Sequence, residues 1–192
     1  VINVNLLGAA NGIVTVLPRI LVHGEGGHIL NTASTSGLLP HPGATIYITT
    51  KAALIGMTEA MRCELEPKGV IASVLCPGPV QSQIGDSGRN RPASYGGAEA
   101  STMPQVRLSD SSSDVFQLMM SADEVGEIVR QGIENDQLYI FTHSEHREGL
   151  AERAAAIDAA LPQRPESEAL KAVMGMTLTN PAHQAEIARH RR

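Results

Sequence analysis

The chain contains no tryptophan, and only 3% of its 192 residues are aromatic. Proteins that bind single-stranded nucleic acid stack the bases on aromatic side chains, so this composition argues against that role. The formal net charge is -5, whereas DNA, RNA and anionic membrane surfaces attract basic proteins. We therefore expect neither a nucleic acid nor a membrane among the partners.

Cysteine is scarce as well. Cys63 and Cys76 are the only two, which is typical of unpaired thiols in a reducing compartment, and we expect a cytoplasmic protein. We find no signal peptide and expect no stretch long and apolar enough to span a bilayer. The motifs H-E-x-x-H and C-x-x-C are both missing, so no metal site is expected. His143 and His146, in "HSEH", are interpreted as residues of the surface or of the edge of a substrate site.

The remaining composition is that of a globular protein with one core, since 42% of the residues are hydrophobic and 18% are charged. The apolar spacing predicts a helix over 3–21, a strand over 28–34, a second helix over 47–66 and a second strand over 70–76. Apolar residues occupy several faces of the first helix, which predicts burial on most of its sides. This alternation of helices and strands indicates a parallel sheet in an α/β fold.

The second half of the chain begins with a change of character. Residues 81–118 are rich in Gly, Ser, Asn and Asp, which indicates either a mobile lid or a partly disordered insertion. Ser121 and Glu124 then have the spacing of a capping box, which marks the start of a helix. The predicted elements from there on are a helix, a strand, a second helix and a polar tail, over 121–135, 137–143, 144–161 and 162–192.

Polar residues gather where the predicted strands end. Ser34 ends the first strand, and Pro77 and Gly78 follow the second. In an open parallel sheet, ligands bind in the crevice outside the carboxyl ends of the strands. Tyr47 and Lys51 are one helical turn apart and share a face. These residues together predict a ligand site, although Y-x-x-x-K alone also suits plain helix packing and Ser34 can simply end a strand.

Four short blocks of the sequence resemble the short-chain dehydrogenase/reductase family. They are "VNLLGA", "ILNTASTSG", "YITTKAAL" and "VLCPGPV", in the order and at the spacing of that family. The resemblance covers residues 1–80 well and 121–160 in outline. It implies a Rossmann-like, doubly wound parallel sheet, of which residues 1–161 form the second half and 81–118 the substrate loop or lid.

The family's glycine-rich cofactor motif, G-x-x-x-G-x-G between a strand and a helix, is not found in this sequence. The chain also starts with Val1, inside a predicted helix. We therefore expect a fragment or truncated product of a longer enzyme, inactive on its own. The part of the family that distinguishes NAD from NADP is missing with the glycine motif, so either cofactor fits the resemblance.

The resemblance implies hydride transfer between NAD or NADP and a small molecule, with interconversion of a secondary alcohol and a ketone. Tyr47 is then the general acid/base. A tyrosine phenol ordinarily ionises near a pKa of about 10, and a neighbouring cation such as Lys51 favours the ionised form. Ser34 is expected to donate a hydrogen bond to the substrate oxygen. Asn5 is expected to hold a water in a proton relay to Lys51, although a plain internal hydrogen bond would also explain it.

The resemblance also implies the residues that contact the cofactor. Tyr47 and Lys51 are expected at the nicotinamide ribose, and Pro77, Gly78 and Val80 along the carboxamide. Ser82 stands where the family often has threonine, and the resemblance leaves open whether its hydroxyl is a cofactor contact or a plain surface group.

In the family, the helices that correspond to 3–21 and 47–66 pack against their copies in a partner subunit. The resemblance therefore implies a homodimer or homotetramer. It also leaves an alternative function open, in which the chain is a non-catalytic remnant retained for assembly.

Overall fold

A computed structural model describes residues 1–97 and 114–191 of the chain. These residues form two compact units. The first unit comprises Val1–Gly78 and Val129–Arg192, and the second comprises Pro79–Ile128. Residues 98–113 of the predicted substrate loop lie outside the described residues.

The first unit is built on a sheet of three parallel strands, in the order β1 (Gly27–Thr32), β2 (Val70–Cys76) and β3 (Tyr139–Phe141). The central strand β2 is buried at every position except Ile71, which is half-buried. This pattern is typical of a parallel strand covered on both faces, because its side chains alternate between two apolar layers. The predicted parallel α/β sheet is confirmed.

The helices of the described residues follow in sequence order. They are α1 (Gly8–His23), preceded by a π-helical turn (Asn3–Leu7), α2 (Thr45–Leu65), α3 (Asp114–Gln117), α4 (Ala122–Glu134), α5 (Arg147–Ala159), α6 (Glu168–Met174) and α7 (Pro181–Arg189). Short 3-10 turns cover Thr35–Gly37, Glu66–Lys68, Gln83–Asn90, Ala93–Tyr95 and Gly175–Thr177.

Helix α2 forms the main core with the sheet. The buried members of this core are Ala33, Leu54, Ile55, Val74 and Cys76. Arg62, on the same helix, is 1% exposed, and its guanidinium donates to the Glu66 carboxylate at 3.1 Å and to the Asp136 carbonyl at 2.9 Å. These bonds satisfy the buried charge and fix α2 to the turn that precedes β3.

The tail predicted over 162–192 contains two helices, of which α7 packs against α2. The Cys63 thiol donates to the Asn180 side chain at 3.0 Å, and Asn180 caps the first turn of α7. The Glu186 carboxylate accepts the backbone N–H of Leu138 at 3.0 Å. Helix α7 and the residue that precedes it therefore contact both α2, the helix that carries Tyr47 and Lys51, and the start of β3.

Helix α1 corrects two expectations from the sequence. It was expected to be buried on most sides, yet within the described part of the chain none of its residues is buried, and Val22 is 87% exposed. Leu6 in the π-helical turn and Ala9 pack on the core, and Ile20 lies against Gly27 of β1. The segment Asn3–His23 is also long and apolar enough to cross a membrane by length and composition alone, so the expectation of no such stretch was wrong. Helices from soluble cores and signal sequences pass the same test.

In the second unit, the backbone of Val80 forms an isolated bridge with Met120. The predicted capping box opens α4: Ser121 N–H donates to the Glu124 carboxylate at 2.9 Å, and Glu124 N–H donates to the Ser121 hydroxyl at 3.2 Å. The start of this helix is therefore fixed by its own sequence, as the capping-box pattern predicts.

Candidate active site

Ser34 lies just beyond the carboxyl end of β1, in extended backbone, and is 8% exposed. Its hydroxyl oxygen accepts the N–H of Ser36 at 3.1 Å, which starts the tight turn Thr35–Gly37. A serine hydroxyl that accepts one hydrogen bond still has its own hydrogen to donate. Ser34 is therefore positioned as a donor at the edge of the sheet where ligands bind.

The ends of β1 and β2 are tied together beside Ser34. Both the N–H and the hydroxyl of Thr35 donate to the carbonyl of Pro77, at 3.2 Å each. Gly78 follows directly, and its N–H donates to the hydroxyl of Thr142 at 3.0 Å, just after β3. The three strand ends therefore converge at one edge, as expected for parallel strands.

Tyr47 and Lys51 lie on one face near the start of α2, as the sequence predicts. The Lys51 ammonium is 5.6 Å from the centroid of the Tyr47 ring, within the range of a cation–π contact. It also donates to the carbonyl of Thr32 at 2.8 Å, at the end of β1. Partial burial lowers the pKa of Lys51 from its ordinary value, because burial disfavours the charged form.

Gly37 allows the turn after Ser34 to approach α2. A Cβ atom at this position would lie 2.9 Å from the carbonyl carbon of Lys51, the amide nitrogen of Ala52 and Cδ1 of Ile55. Real Cβ atoms essentially never come so close to backbone. The absence of a side chain at Gly37 therefore sets the separation between the serine turn and the helix that carries Tyr47 and Lys51.

Asn5 reaches the same helix from the π-helical turn Asn3–Leu7. Its side-chain amide donates to the hydroxyl of Thr50 at 3.2 Å, and Thr50 in turn donates to the carbonyl of Tyr47 at 2.7 Å. Thr50 is fully buried. Asn5 therefore makes an internal hydrogen bond, which was one of the two roles that the sequence left open for it. Its partner, Thr50, directly precedes Lys51.

The structure gathers six of the eight predicted site residues in its first unit: Asn5, Ser34, Tyr47, Lys51, Pro77 and Gly78. Val80 and Ser82 belong to the second unit. Ser82 is exposed, and its hydroxyl accepts the N–H of Ile84 at 3.4 Å, at the start of the turn Gln83–Asn90.

Sequence reasoning missed one contributor to this edge, Thr50, and did not foresee how His143 and His146 pack there. Thr50 links Asn5 to α2, but no motif signals a contact between residues 45 positions apart. His143 and His146 pack on Gly78: a Cβ on that glycine would lie 2.7 Å from Nδ1 of His143 and 3.0 Å from Nε2 of His146. The sequence pattern "HSEH" predicted residues of the surface or of the edge of a substrate site, without the contact to Gly78. Within the described ranges no group of three or more His, Cys, Asp or Glu residues is placed to hold a metal ion.

The chain is similar in sequence to known dehydrogenases. Residues 1–92 match the family model described as short chain dehydrogenase. A C alpha-dehydrogenase from Sphingobium sp. is 34% identical over 172 residues, which are 88% of this chain and 55% of the relative. The chain thus spans about half the length of the curated relatives it matches.

Two solved structures show the same fold. A short chain dehydrogenase/reductase from Burkholderia phymatum, in complex with NAD, superposes with a TM-score of 0.69 at 28% identity, over 85% of this chain and 59% of the other. A protein from Novosphingobium aromaticivorans, assigned to the short-chain dehydrogenases, superposes with a TM-score of 0.68 at 26% identity, over 100% of this chain and 60% of the other. The sheet therefore belongs to a Rossmann-like α/β fold, as predicted.

The family match runs from residue 1 to residue 92, and so includes every residue predicted for the site, from Asn5 to Ser82. The order of the four sequence blocks, the parallel sheet and the solved neighbours all agree with that match. The chain belongs to the short-chain dehydrogenase/reductase family.

Proposed function

We propose that the protein is an NAD(P)-dependent oxidoreductase that interconverts a secondary alcohol and a ketone by hydride transfer. The observation that carries the proposal is the placement of the Lys51 ammonium 5.6 Å from the Tyr47 ring, beside the strand end that carries Ser34. A phenol, an ammonium and a hydroxyl at one sheet edge are the groups needed to move a proton at a carbonyl oxygen.

The donors at this edge suit a nicotinamide nucleotide. A lysine ammonium has three hydrogens, and the carbonyl of Thr32 takes one of them. The other two remain for ribose hydroxyls, next to the hydroxyl of Tyr47. When bound, the cofactor supplies or accepts the hydride. The NAD bound by the Burkholderia relative supports a nicotinamide cofactor, and both NAD and NADP are candidates.

The residues of this chain would carry the proton and position the substrate. Tyr47 gives a proton to the substrate oxygen during reduction and takes it back during oxidation. Ser34 donates its free hydrogen to the same oxygen and stabilises the charge that develops there.

Asn5 has the geometry of a relay residue. Its amide nitrogen is fixed on Thr50, while its carbonyl oxygen forms no hydrogen bond within the described ranges. That oxygen is free to accept a hydrogen bond from a water on the path to Lys51, so the internal bond and the relay are compatible roles for one side chain.

We also propose a homodimer or homotetramer formed through α1 and α2. The exposed apolar side chains of α1, such as Val14 at 73% and Val22 at 87%, support this because a protein seldom leaves so large an apolar surface open. The free thiols Cys63 and Cys76 support a reducing compartment, the cytoplasm.

The direct test replaces Tyr47 by Phe in the full gene product. Loss of a general acid/base lowers kcat by a factor of about 10²–10⁴, and we expect that loss with cofactor binding nearly unchanged. Lys68→Ala is the matched control for Lys51→Ala and should have the normal rate, since Lys68 is exposed in the turn that follows the far end of α2. Lys51→Ala should weaken both turnover and cofactor binding. A Tyr47→Phe protein with the normal kcat would disprove the mechanism.

A second test measures thermal unfolding of the full gene product with NADH and with NADPH. A ligand that binds the folded state raises the melting temperature, so the cofactor that raises it identifies the specificity. A full gene product that assembles into oligomers but responds to neither cofactor would favour the non-catalytic alternative.

A further inference from the structure

A cavity of about 630 Å³ lies between the end of β3 and the start of α5. One part of its wall is apolar and consists of Phe141 and Leu150, while His143, His146 and Arg147 supply nitrogen atoms to another part. Pockets for small organic ligands usually have 300–1,000 Å³ and combine apolar walls with a few polar groups. The cavity thus has the size and the lining of a ligand site.

The two imidazoles in this cavity are held in place by the strand ends. Nδ1 of His143 is 2.6 Å from the hydroxyl of Thr142, which already accepts the N–H of Gly78. We assign the Thr142 hydrogen to Nδ1, which leaves the ring hydrogen of His143 on Nε2 as a free donor. The rings of His143 and His146 are 6.2 Å apart, and Gly78 lies against both.

His146 has an unusual feature for a side chain in a cavity wall. Its Nε2 atom is buried and forms no hydrogen bond within the described residues. This atom lies against Gly78, since a Cβ on that glycine would be 3.0 Å from it. The other ring nitrogen, Nδ1, is not among the buried atoms without a partner, so Nδ1 is the atom that His146 can offer to a polar ligand in the cavity.

The lining of the cavity also carries a positive charge. Arg147 is always protonated, and no Asp or Glu is among the described residues that line the cavity. A guanidinium beside two imidazoles favours an anion and matches the planar shape of a carboxylate. Phe141 and Leu150 provide room for a carbon skeleton, which an inorganic anion would not use.

We propose that this cavity binds the carboxylate group of a small organic acid, with Arg147 as the charged partner, His143 and His146 as hydrogen-bond donors, and Phe141 and Leu150 against the carbon skeleton. Its wall reaches Gly78, at the carboxyl edge of the sheet that also carries Ser34. The identification of this ligand as the substrate rests on the proposed oxidoreductase function. With that function, the substrate is a hydroxy or keto acid.

Binding is tested on the chain itself by NMR titration with benzoate, with benzamide as the neutral analogue and inorganic phosphate as the bare anion. The imidazole C–H signals report on the site, and His143→Gln and His146→Gln assign two of the seven histidines. We expect benzoate to shift those two signals, benzamide to leave them unchanged, and phosphate to bind at least about tenfold more weakly.

Variants separate the proposed contacts from non-specific charge effects. Loss of a charge-assisted hydrogen bond typically weakens binding by about tenfold or more, so Arg147→Gln should weaken benzoate binding by that factor. Arg147 is exposed, and its replacement should leave the fold intact. His23→Gln, at the far end of α1, is the control and should bind benzoate normally.

Three results would overturn the proposal: no shift of the two histidine signals with benzoate, equal shifts with benzamide, or phosphate binding as tight as benzoate binding. None of these results depends on turnover. Benzoate binding by a full gene product without dehydrogenase activity would therefore refute the proposed function and leave the carboxylate site standing.

Discussion

Gly37→Ala is the substitution that most directly tests the packing of the candidate active site. The new Cβ would lie 2.9 Å from two backbone atoms of α2 and from Cδ1 of Ile55. Backbone atoms cannot rotate away as a flexible side chain can, so the turn Thr35–Gly37 must move. Overpacking of this kind costs about 1–3 kcal/mol of unfolding free energy.

The expected change in melting temperature follows from the length of the chain. For domains of 150–250 residues, 1 kcal/mol corresponds to roughly 2–4 °C. Gly37→Ala should therefore lower the melting temperature by about 2–12 °C, measured by circular dichroism. Gly126→Ala is the matched control, because Gly126 is an exposed position inside α4 with nothing within 4 Å of the new Cβ. It should raise the melting temperature by about 2–4 °C, since alanine is the better helix former.

Gly37→Ala should also reduce catalysis beyond its effect on stability. The turn that moves carries Ser34, and a misplacement of about 1 Å can cost about a hundredfold in rate. The assay is kcat of the full gene product at a temperature where the variant remains folded. A Gly37→Ala protein with the melting temperature and kcat of the unmodified protein would show that the turn does not pack on α2 as described.

Two further predictions concern ionisable groups. Burial raises the pKa of the Cys76 thiol to about 12, so in a Cys63→Ser protein a thiolate-selective reagent at neutral pH should label Cys76 only after unfolding; fast labelling of the folded protein would contradict this. Hydrogen bonds from Ser121 hold the pKa of Glu124 below its ordinary value of 4.5. The Glu124 carboxylate therefore stabilises the folded protein fully above pH 4.5, and this stabilisation is lost as the pH falls through the lower pKa of the folded state. In urea titrations at a series of pH values, Glu124→Gln should therefore lose stability relative to the unmodified protein at neutral pH but not at pH values below that folded pKa, and a constant difference would refute this prediction.

Much of the fold was predictable because local patterns and tertiary packing agree. The strand over 70–76 was predicted at its observed bounds, since an uninterrupted apolar run between Gly69 and Pro77 allows few alternatives. The capping box at Ser121 was predictable for the same reason, because its hydrogen bonds join neighbours in sequence. Strand ends were less predictable: the strand expected over 137–143 spans only Tyr139–Phe141, because pairing with β2 decides where it begins and ends.

The candidate site was predictable only where it follows the family pattern. Asn5, Ser34, Tyr47 and Lys51 could be named from the four blocks. Thr50 could not, because its role comes from a contact across 45 residues. The histidines beside Gly78 were visible as a pair, but their packing on that glycine depends on how β3 places Thr142, which no spacing rule gives.

Helix α1 shows what composition cannot decide. A core helix, a membrane-spanning helix and a helix in a subunit interface can have the same apolar residues, and the sequence alone suggested burial. The structure adds that Leu6 and Ala9 pack on the core and that Asn5 donates to the buried hydroxyl of Thr50. A helix that crossed a bilayer would break this packing and leave Thr50 without its Asn5 partner. The attachment of one stripe to α2, with the opposite face exposed, is therefore better explained by a helix that contacts a second protein surface, which supports the proposed assembly through α1 and α2.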